Sequence, residues 1–303
     1  MRALVTGGCG FIGSHLVDKL LDKKAEVMVI DNLSSGNREN IPAEVEFYER
    51  DLKEMGDIDL SSIDIVYHLA ASSDVRAGLE ARWDQMKENL LTTCNLLERM
   101  VRYGLGDLVF ASTSAVYGES FLPVKEDHPL RPISIYGSSK LACEAMLSAY
   151  AHLFDLRVII FRLANVVGPR AKKGVIPELV EKVKKAQAIG SEELEILGDG
   201  TQRKSYLYVE DCIEGFLTPA LKGYDIYNLG SVDSLTVDEV ADAITDELGV
   251  KLEYRYKKSK GGRGWLGDAK EIELAIDKLR AEGWSPKHDS EGGVRRTVRE
   301  ITR

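Results

Sequence analysis

The sequence predicts an α/β chain in which a doubly wound parallel sheet carries a smaller C-terminal α/β lobe. Three observations predict it. Near-continuous Val/Ile/Leu runs alternate with amphipathic segments through the first half, a glycine cluster follows the first run directly, and the rhythm breaks after Asn165.

The runs come in the order ALVTG, VMVID, VEFYERD, DIVYHLAA, DLVFAST and LRVIIFRLAN. Strands that are apolar on both faces and joined through helices form a parallel sheet covered on both sides. The helical segments between them are SHLVDKLLDK, starting near Ser14, WDQMKENLLTTCNLLERMVRYG, and the stretch SIYGSSKLACEAM. Beyond Asn165 the sequence predicts a loop, a helix opening at Pro177, a short EILG strand and the segment QRKSYLYVED. Three later helices follow: TVDEVADAITDELG, KEIELAIDKLRAEG and GGVRRTVREITR. Residues 1–164 are expected to form a dinucleotide-binding domain, with about 202–232 returning to it. Residues 165–201 and 233–303 are expected to form the lobe over the strand ends. A chain of 303 residues suits one large α/β unit or two lobes.

Strand ALVT leads into G-G-C-G-F-I-G, where Gly8, Gly10 and Gly13 fit G-x-G-x-x-G and Gly7, Gly10 and Gly13 a looser form. Such glycines permit a tight turn and let a pyrophosphate rest on the following helix N-terminus. Asp31, closing the second strand, stands where a carboxylate binds the adenosine ribose, and its charge would repel a 2′-phosphate. That favours NAD over NADP, with Arg38 as the one residue arguing the other way. Asp51 and Leu52 at the end of the third strand could meet the adenine. The first half therefore reads as a Rossmann domain.

The net charge of −9 argues against a nucleic-acid or anionic-membrane surface. Hydrophobic content of 44% and charged content of 29% are ordinary for a soluble globular chain. Cys9, Cys94, Cys143 and Cys212 are scattered, which signals neither a zinc site nor a disulfide framework. His15, His68, His128, His152 and His288 form no cluster and read as structural. A first strand at Arg2 or Ala3 leaves no room for a signal peptide, and no apolar run is long enough to span a bilayer, so a cytoplasmic protein is expected.

Tyr136 and Lys140 lie four apart, on one face of a helix. The spacing alone decides nothing, because Tyr254 with Lys258 and Tyr256 with Lys260 share it in a strand running into a basic loop. The context decides. TGGCGFIGSHLVD, DNLSSG, HLAA, the EN of KEN, STSAVYG, YGSSK, RLANVVGPR, GDGTQRKSYLYVED and GRGWLGD resemble, in order and over essentially the whole chain, the extended short-chain dehydrogenase/reductases. Within them the resemblance is to the nucleotide-sugar epimerases, nearest to the archaeal type acting at carbon 4 of UDP-hexoses.

The resemblance implies NAD held by Gly7, Gly10, Phe11, Ile12, Gly13, Asp31, Asn32, Ser35, Gly36, Asp51, Leu52, Leu69, Ala70, Ala71, Asn89, Tyr136 and Lys140. It makes Thr113 a sugar contact, in a place where Ser is commoner, Tyr136 the acid/base and Lys140 its partner. A phenol titrates near 10, so a base working near 7 needs a fall of about 3 units. An ammonium at about 4 Å supplies comparable energy at an effective dielectric of about 20. The implied reaction has Tyr136 take the proton of the sugar 4-hydroxyl as carbon 4 is oxidised by NAD. The 4-keto sugar then turns over and is reduced on its other face.

For the UDP-sugar, the resemblance implies contacts from Thr113, Tyr136 and Asn165, a diphosphate clamp of Arg203 and Arg263, and Asp268 on the uridine ribose. Two extra residues separate Arg263 from Gly267-Asp268 compared with many bacterial relatives. Ala164 is small where many of those carry an aromatic. A 4,6-dehydratase would need an acidic pair after Thr113, where Ser114 and Ala115 stand. A UDP-glucuronate decarboxylase, an epimerase of N-acetylhexosamines or uronates, and a non-catalytic nucleotide sensor remain as alternatives. Apolar residues on several faces of the 83–103 and 136–154 helices, among them Leu141, Met146, Leu147 and Leu153, predict a homodimer through those helices, as is common in the family.

Overall fold

The computed structural model describes residues 1–120, 122–257, 262–265 and 267–303. Lys258 and Lys260 lie outside them. The chain runs β1 (Arg2–Thr6), α1 (Phe11–Asp22), β2 (Glu26–Asp31), β3 (Glu46–Glu49), β4 (Ile65–His68), α2 (Arg82–Tyr103), β5 (Asp107–Thr113), α3 (Ile135–Phe154) and β6 (Arg157–Leu163). It continues with β7 (Asn165–Val167), α4 (Val175–Ile189), β8 (Glu193–Leu197), β9 (Arg203–Lys204), β10 (Tyr206–Tyr208), α5 (Val209–Phe216) and β11 (Tyr224–Leu229). Last come β12 (Leu235–Thr236), α6 (Val237–Glu247), β13 (Glu253–Lys257), β14 (Glu271–Ile272), α7 (Asp277–Ala281) and α8 (Ser290–Thr302).

Seven strands form one sheet in the order β11-β6-β5-β4-β1-β2-β3, every pairing parallel. The order reverses at β1, so the strand ends of β1, β4 and β5 open onto a crevice, as the doubly wound prediction requires. The sheet's two faces each bury their own apolar layer. One is built on Val5, Val29, Leu16 and Phe161, the other on Leu4, Ile30, Phe110 and Leu147. A third cluster, with Val167, Ile176, Val183, Ile196, Val240 and Val294, packs α4, α6 and α8 beyond the strand ends.

Two expectations about elements are corrected. Helix α1 begins at Phe11 rather than near Ser14, because Gly10 already serves as its N-cap and the helix starts inside the glycine turn. The segment 270–283 is not one helix. Glu271–Ile272 pairs with Arg203–Lys204, and the Glu273 carbonyl and Ala275 amide bond to Val124 at 2.8 Å each. Only Asp277–Ala281 remains helical. The local helical pattern loses to backbone pairing that satisfies buried polar groups.

Of the apolar residues named for helix pairing, Leu147 is fully buried in the sheet core and Leu141 and Met146 pack partly against it. Leu153 is exposed as expected, and Trp83, Leu91 and Phe154 are the other large exposed apolar side chains of α2 and α3. Tyr254 and Tyr256 sit on β13 with their hydroxyls on Asp242 and Asp238, far in role from any proton relay. Among the described residues no helix is long and apolar enough to cross a membrane, and no group of His, Cys, Asp or Glu could hold a metal ion.

Candidate active site

The glycine turn is shaped by exclusion. Gly7 has φ +70°, and a Cβ there would lie 2.7 Å from the Ala70 amide nitrogen. A Cβ on Gly13 would come within 2.2 Å of the Gly7 carbonyl, so the first turn of α1 rests directly on the loop after β1. Around Gly10 such a Cβ meets only the Gly7 carbonyl, at 3.1 Å, and no side chain caps α1. The first-turn amides of Phe11, Ile12 and Gly13 are thus left for an anion.

Asp31 completes this end. It is buried, and its carboxylate accepts hydrogen bonds from the Cys9 amide at 2.9 Å and the Leu33 amide at 2.8 Å. Burial raises its pKa, against the pull of those two amides. Leu33 is held at φ +56°. Asn32 accepts from the Ser34 amide and donates to Asp51, whose other oxygen accepts from the Lys53 amide. Leu52 is buried beside Asp51, and Ser35 stays exposed at the loop tip. Gly36 packs on Cys9 with no room for a Cβ. Leu69 and Ala70 hang from Thr6 through their amides, leading into Ala71. Arg38 is tied to the carbonyls of Ile41, Pro42 and Ala43 and stacks on Phe47, which removes the one argument for a 2′-phosphate. An uncapped helix start, a glycine cradle and a buried ribose-directed carboxylate together fit NAD.

Asn89 fits a structural residue behind the catalytic strand. It is buried with its carbonyl oxygen on the Ser72 amide at 2.7 Å and its amide donating to Ser139 at 2.8 Å. Its polar groups are spent on fastening the loop after β4 to α3.

Of the three expected catalytic residues, Thr113 and Tyr136 come together and line one cleft, and Lys140 lies one turn deeper on α3. Ser134 caps α3 by accepting from the Gly137 amide, and Gly137 presses so closely on the Ala115 carbonyl that a Cβ would approach to 2.5 Å. This sets the first turn of α3 against the end of β5, where Tyr136 is hydrogen-bonded to Thr113. Thr113 also accepts from the Ala115 amide at 3.2 Å. Lys140, one turn on, is buried with its ammonium 4.0 Å above the Phe110 ring. Burial pushes that ammonium down to about 8, with Cys143 and Glu144 pulling the other way.

The expected lowering of the Tyr136 pKa by Lys140 is not found. Burial pushes the phenol up to about 12, and what works against it is the hydrogen bond with Thr113. Desolvation of a phenolate dominates here, and the Lys140 ammonium lies over the Phe110 ring. His68, pushed down to about 3 by burial and by Lys140, is neutral and bridges Thr6 and Thr93, in keeping with a structural role.

Thr113 and Tyr136 line a cleft of about 530 Å3, together with Phe11 and Ile12 from the glycine turn and Ala164, Asn165, Lys204 and Asp268. That size suits a drug-sized or nucleotide-sized ligand. Asn165 is exposed there rather than buried at its strand end. Arg203 is a correction: its guanidinium donates to the Ser234 carbonyl at 2.7 Å and pairs with Glu239, turned toward the start of α6 and off the cleft wall. Lys204 faces the cleft in its place and holds Asp268 and the Ala269 carbonyl at 2.6 Å each. Adjacent strand residues point to opposite faces, so the signal lay in the alternation of β9 and was missed by one residue. Arg263 also stands off the cleft wall, paired with Glu119 and donating to the Asp268 carbonyl at 2.7 Å.

A Rossmann sheet whose strand ends join an NAD-shaped turn to a Thr/Tyr/Lys constellation defines an enzyme of the dinucleotide-dependent tyrosine type. The model of the NAD dependent epimerase/dehydratase family matches residues 3–230, and the chain belongs to that family. A protein of Methanocaldococcus jannaschii is 36% identical over 97% of this chain and 96% of its own length. Two crystal structures each cover 100% of this chain and 99% of their own. One is Thermus thermophilus UDP-glucose 4-epimerase in complex with NAD, at 35% identity and a TM-score of 0.87. The other is Thermotoga maritima UDP-glucose 4-epimerase with UDP-glucose, at 32% and 0.88.

Proposed function

We propose that this chain interconverts UDP-glucose and UDP-galactose by inverting carbon 4 of the sugar, with NAD as its resident cofactor. The observation that carries the reading is the Tyr136–Thr113 pair, hydrogen-bonded on the wall of a cleft that the glycine turn also lines. NAD, when bound, supplies the reversible oxidation of carbon 4. Phe11, Ile12 and Gly13 offer it backbone amides, Asp31 a carboxylate and Lys140 a buried ammonium.

The chain's own residues do the rest. Thr113 positions the 4-hydroxyl, and Tyr136 takes its proton as carbon 4 is oxidised and gives it back to the same oxygen once carbon 4 has been reduced on its other face. A phenol held near 12 in the protein alone needs a further positive charge beside it to work near neutral pH, and the nicotinamide ring brings one. Ala164 lines the cleft with a small side chain. Ser114 and Ala115 offer no acid to expel water, which steers the keto intermediate back to an alcohol. On the lobe side Lys204 replaces Arg203 as the cation for the diphosphate, and Asn165 and Asp268 take the polar groups of the sugar and ribose.

Residues 1–164 with 202–232 would hold the dinucleotide and residues 165–201 with 233–303 the UDP-sugar. The exposed Trp83, Leu91, Leu153 and Phe154 favour a homodimer through α2 and α3. The test is to incubate the pure protein with NAD and either UDP-hexose. Both must reach one common mixture. Unchanged stereochemistry from both sides, with UDP-glucuronate and UDP-N-acetylhexosamines also untouched, overturns the reading.

A further inference from the structure

Among the described residues, seven charged side chains line the cleft: Asp74, Arg76, Lys173, Glu178, Lys182, Lys204 and Asp268. Two ion pairs among them cross the cleft. Lys173 holds Asp74 at 2.7 Å, and Arg76 forks onto both oxygens of Glu178. Asp74 and Arg76 sit on the loop after β4, Lys173 on the loop leading into α4 and Glu178 in its first turn, so each pair joins the sheet side to the lobe side. All four side chains remain one-third exposed or more.

The backbone beneath the loop is firm. Gln85, almost fully buried, donates to the Asp74 carbonyl at 2.6 Å, and Asn89 clamps Ser72 from both sides. The side chains can therefore change partners while the loop stays put. Exposed pairs of this kind are worth about 0.2–1 kcal/mol. A phosphate offers Arg and Lys stronger charge-assisted bonds, made bidentate by Arg.

We propose that Asp74 and Glu178 are stand-ins for the diphosphate: they hold Lys173 and Arg76 across the cleft and surrender them to the phosphates of the entering nucleotide. This rests on reading the cleft as a nucleotide-sugar site. The carboxylates then compete with the ligand, so removing them strengthens binding, the opposite of what loss of a structural ion pair does.

Calorimetric titration of the NAD-loaded protein with UDP at low salt tests this, with uridine as the phosphate-free control. The double variant Asp74→Asn/Glu178→Gln binds UDP about three- to tenfold more tightly than the parent. Arg76→Gln/Lys173→Gln binds it about tenfold or more weakly. Uridine affinity stays level in both. Unchanged or weaker UDP binding in the carboxylate variant overturns the proposal while leaving the nucleotide-sugar reading intact, as does a uridine affinity that moves in parallel. A parent protein that binds no UDP at all removes both.

Discussion

On the dinucleotide side of the cleft, Gly7, Gly13 and Gly36 admit no Cβ, and Asp31 is fixed by two backbone amides. On the lobe side, Lys173 and Lys204 reach the cleft on long side chains, each already paired with a carboxylate, and Glu178 holds Arg76 from across it. The first wall is made by backbone that has one shape. The second is made by ion pairs that can be exchanged. A reaction that keeps its cofactor while a sugar comes, turns and leaves needs that asymmetry.

The largest test of the comparison lies where the walls meet. Tyr136→Phe is expected to lower kcat by about two to four orders of magnitude, while UDP affinity measured by calorimetry stays within twofold. A parallel loss of UDP binding would mean the phenol belongs to the exchangeable wall.

Lys140→Met is also expected to end turnover, but to make the protein more stable at pH 7. The ammonium titrates at about 8 in the fold against 10.5 unfolded. Between those values the unfolded chain binds more protons, so parental stability rises with pH through that window. Below it the buried charge costs up to about 3 kcal/mol, which the methionine avoids. Melting curves of both proteins from pH 7 to 10.5 should converge as pH rises. Curves that stay parallel would deny the burial penalty.

A smaller effect separates the walls by a methyl group. Gly13→Ala forces a Cβ to within 2.2 Å of a backbone carbonyl and should cost roughly 1–3 kcal/mol of stability with loss of NAD binding. Gly264→Ala on the lobe side meets nothing nearer than 3.5 Å and should change neither. Thermal melts with and without NAD distinguish the two. The smallest effect sharpens the corrected clamp. Lys204→Ala should raise the KM for UDP-glucose by about tenfold, whereas Arg203→Ala should leave it unchanged and slightly loosen the start of α6, where the guanidinium now rests.

These differences also explain what could be read from the sequence. Gly7, Gly13 and Asp31 announce their site because only glycine and one placed carboxylate satisfy that backbone, and the apolar runs announce the sheet for the same kind of reason. The lobe's cations could not be read so well. Arg203 and Lys204 are neighbours of equal charge, and only the facing of a two-residue strand decides between them. The segment 270–283 carries a helical pattern that pairing with Arg203–Lys204 and Val124 overrides, which no local window contains. Tyr136 was identified by its surroundings, but its pKa followed burial rather than the sequence neighbour four residues away.

Strand β11 enters the sheet only after β7 to β10 have been made, pairing with β6 along its whole length. During synthesis, then, a nascent chain that stops short of Tyr224 presents the outer backbone of Arg157–Leu163 as a bare, strongly apolar border. That border invites a second nascent chain to add itself as a strand. The time taken to translate the intervening stretch is thus a window of aggregation risk, and slowing the ribosome there should lower the soluble yield even though the finished enzyme is unaltered.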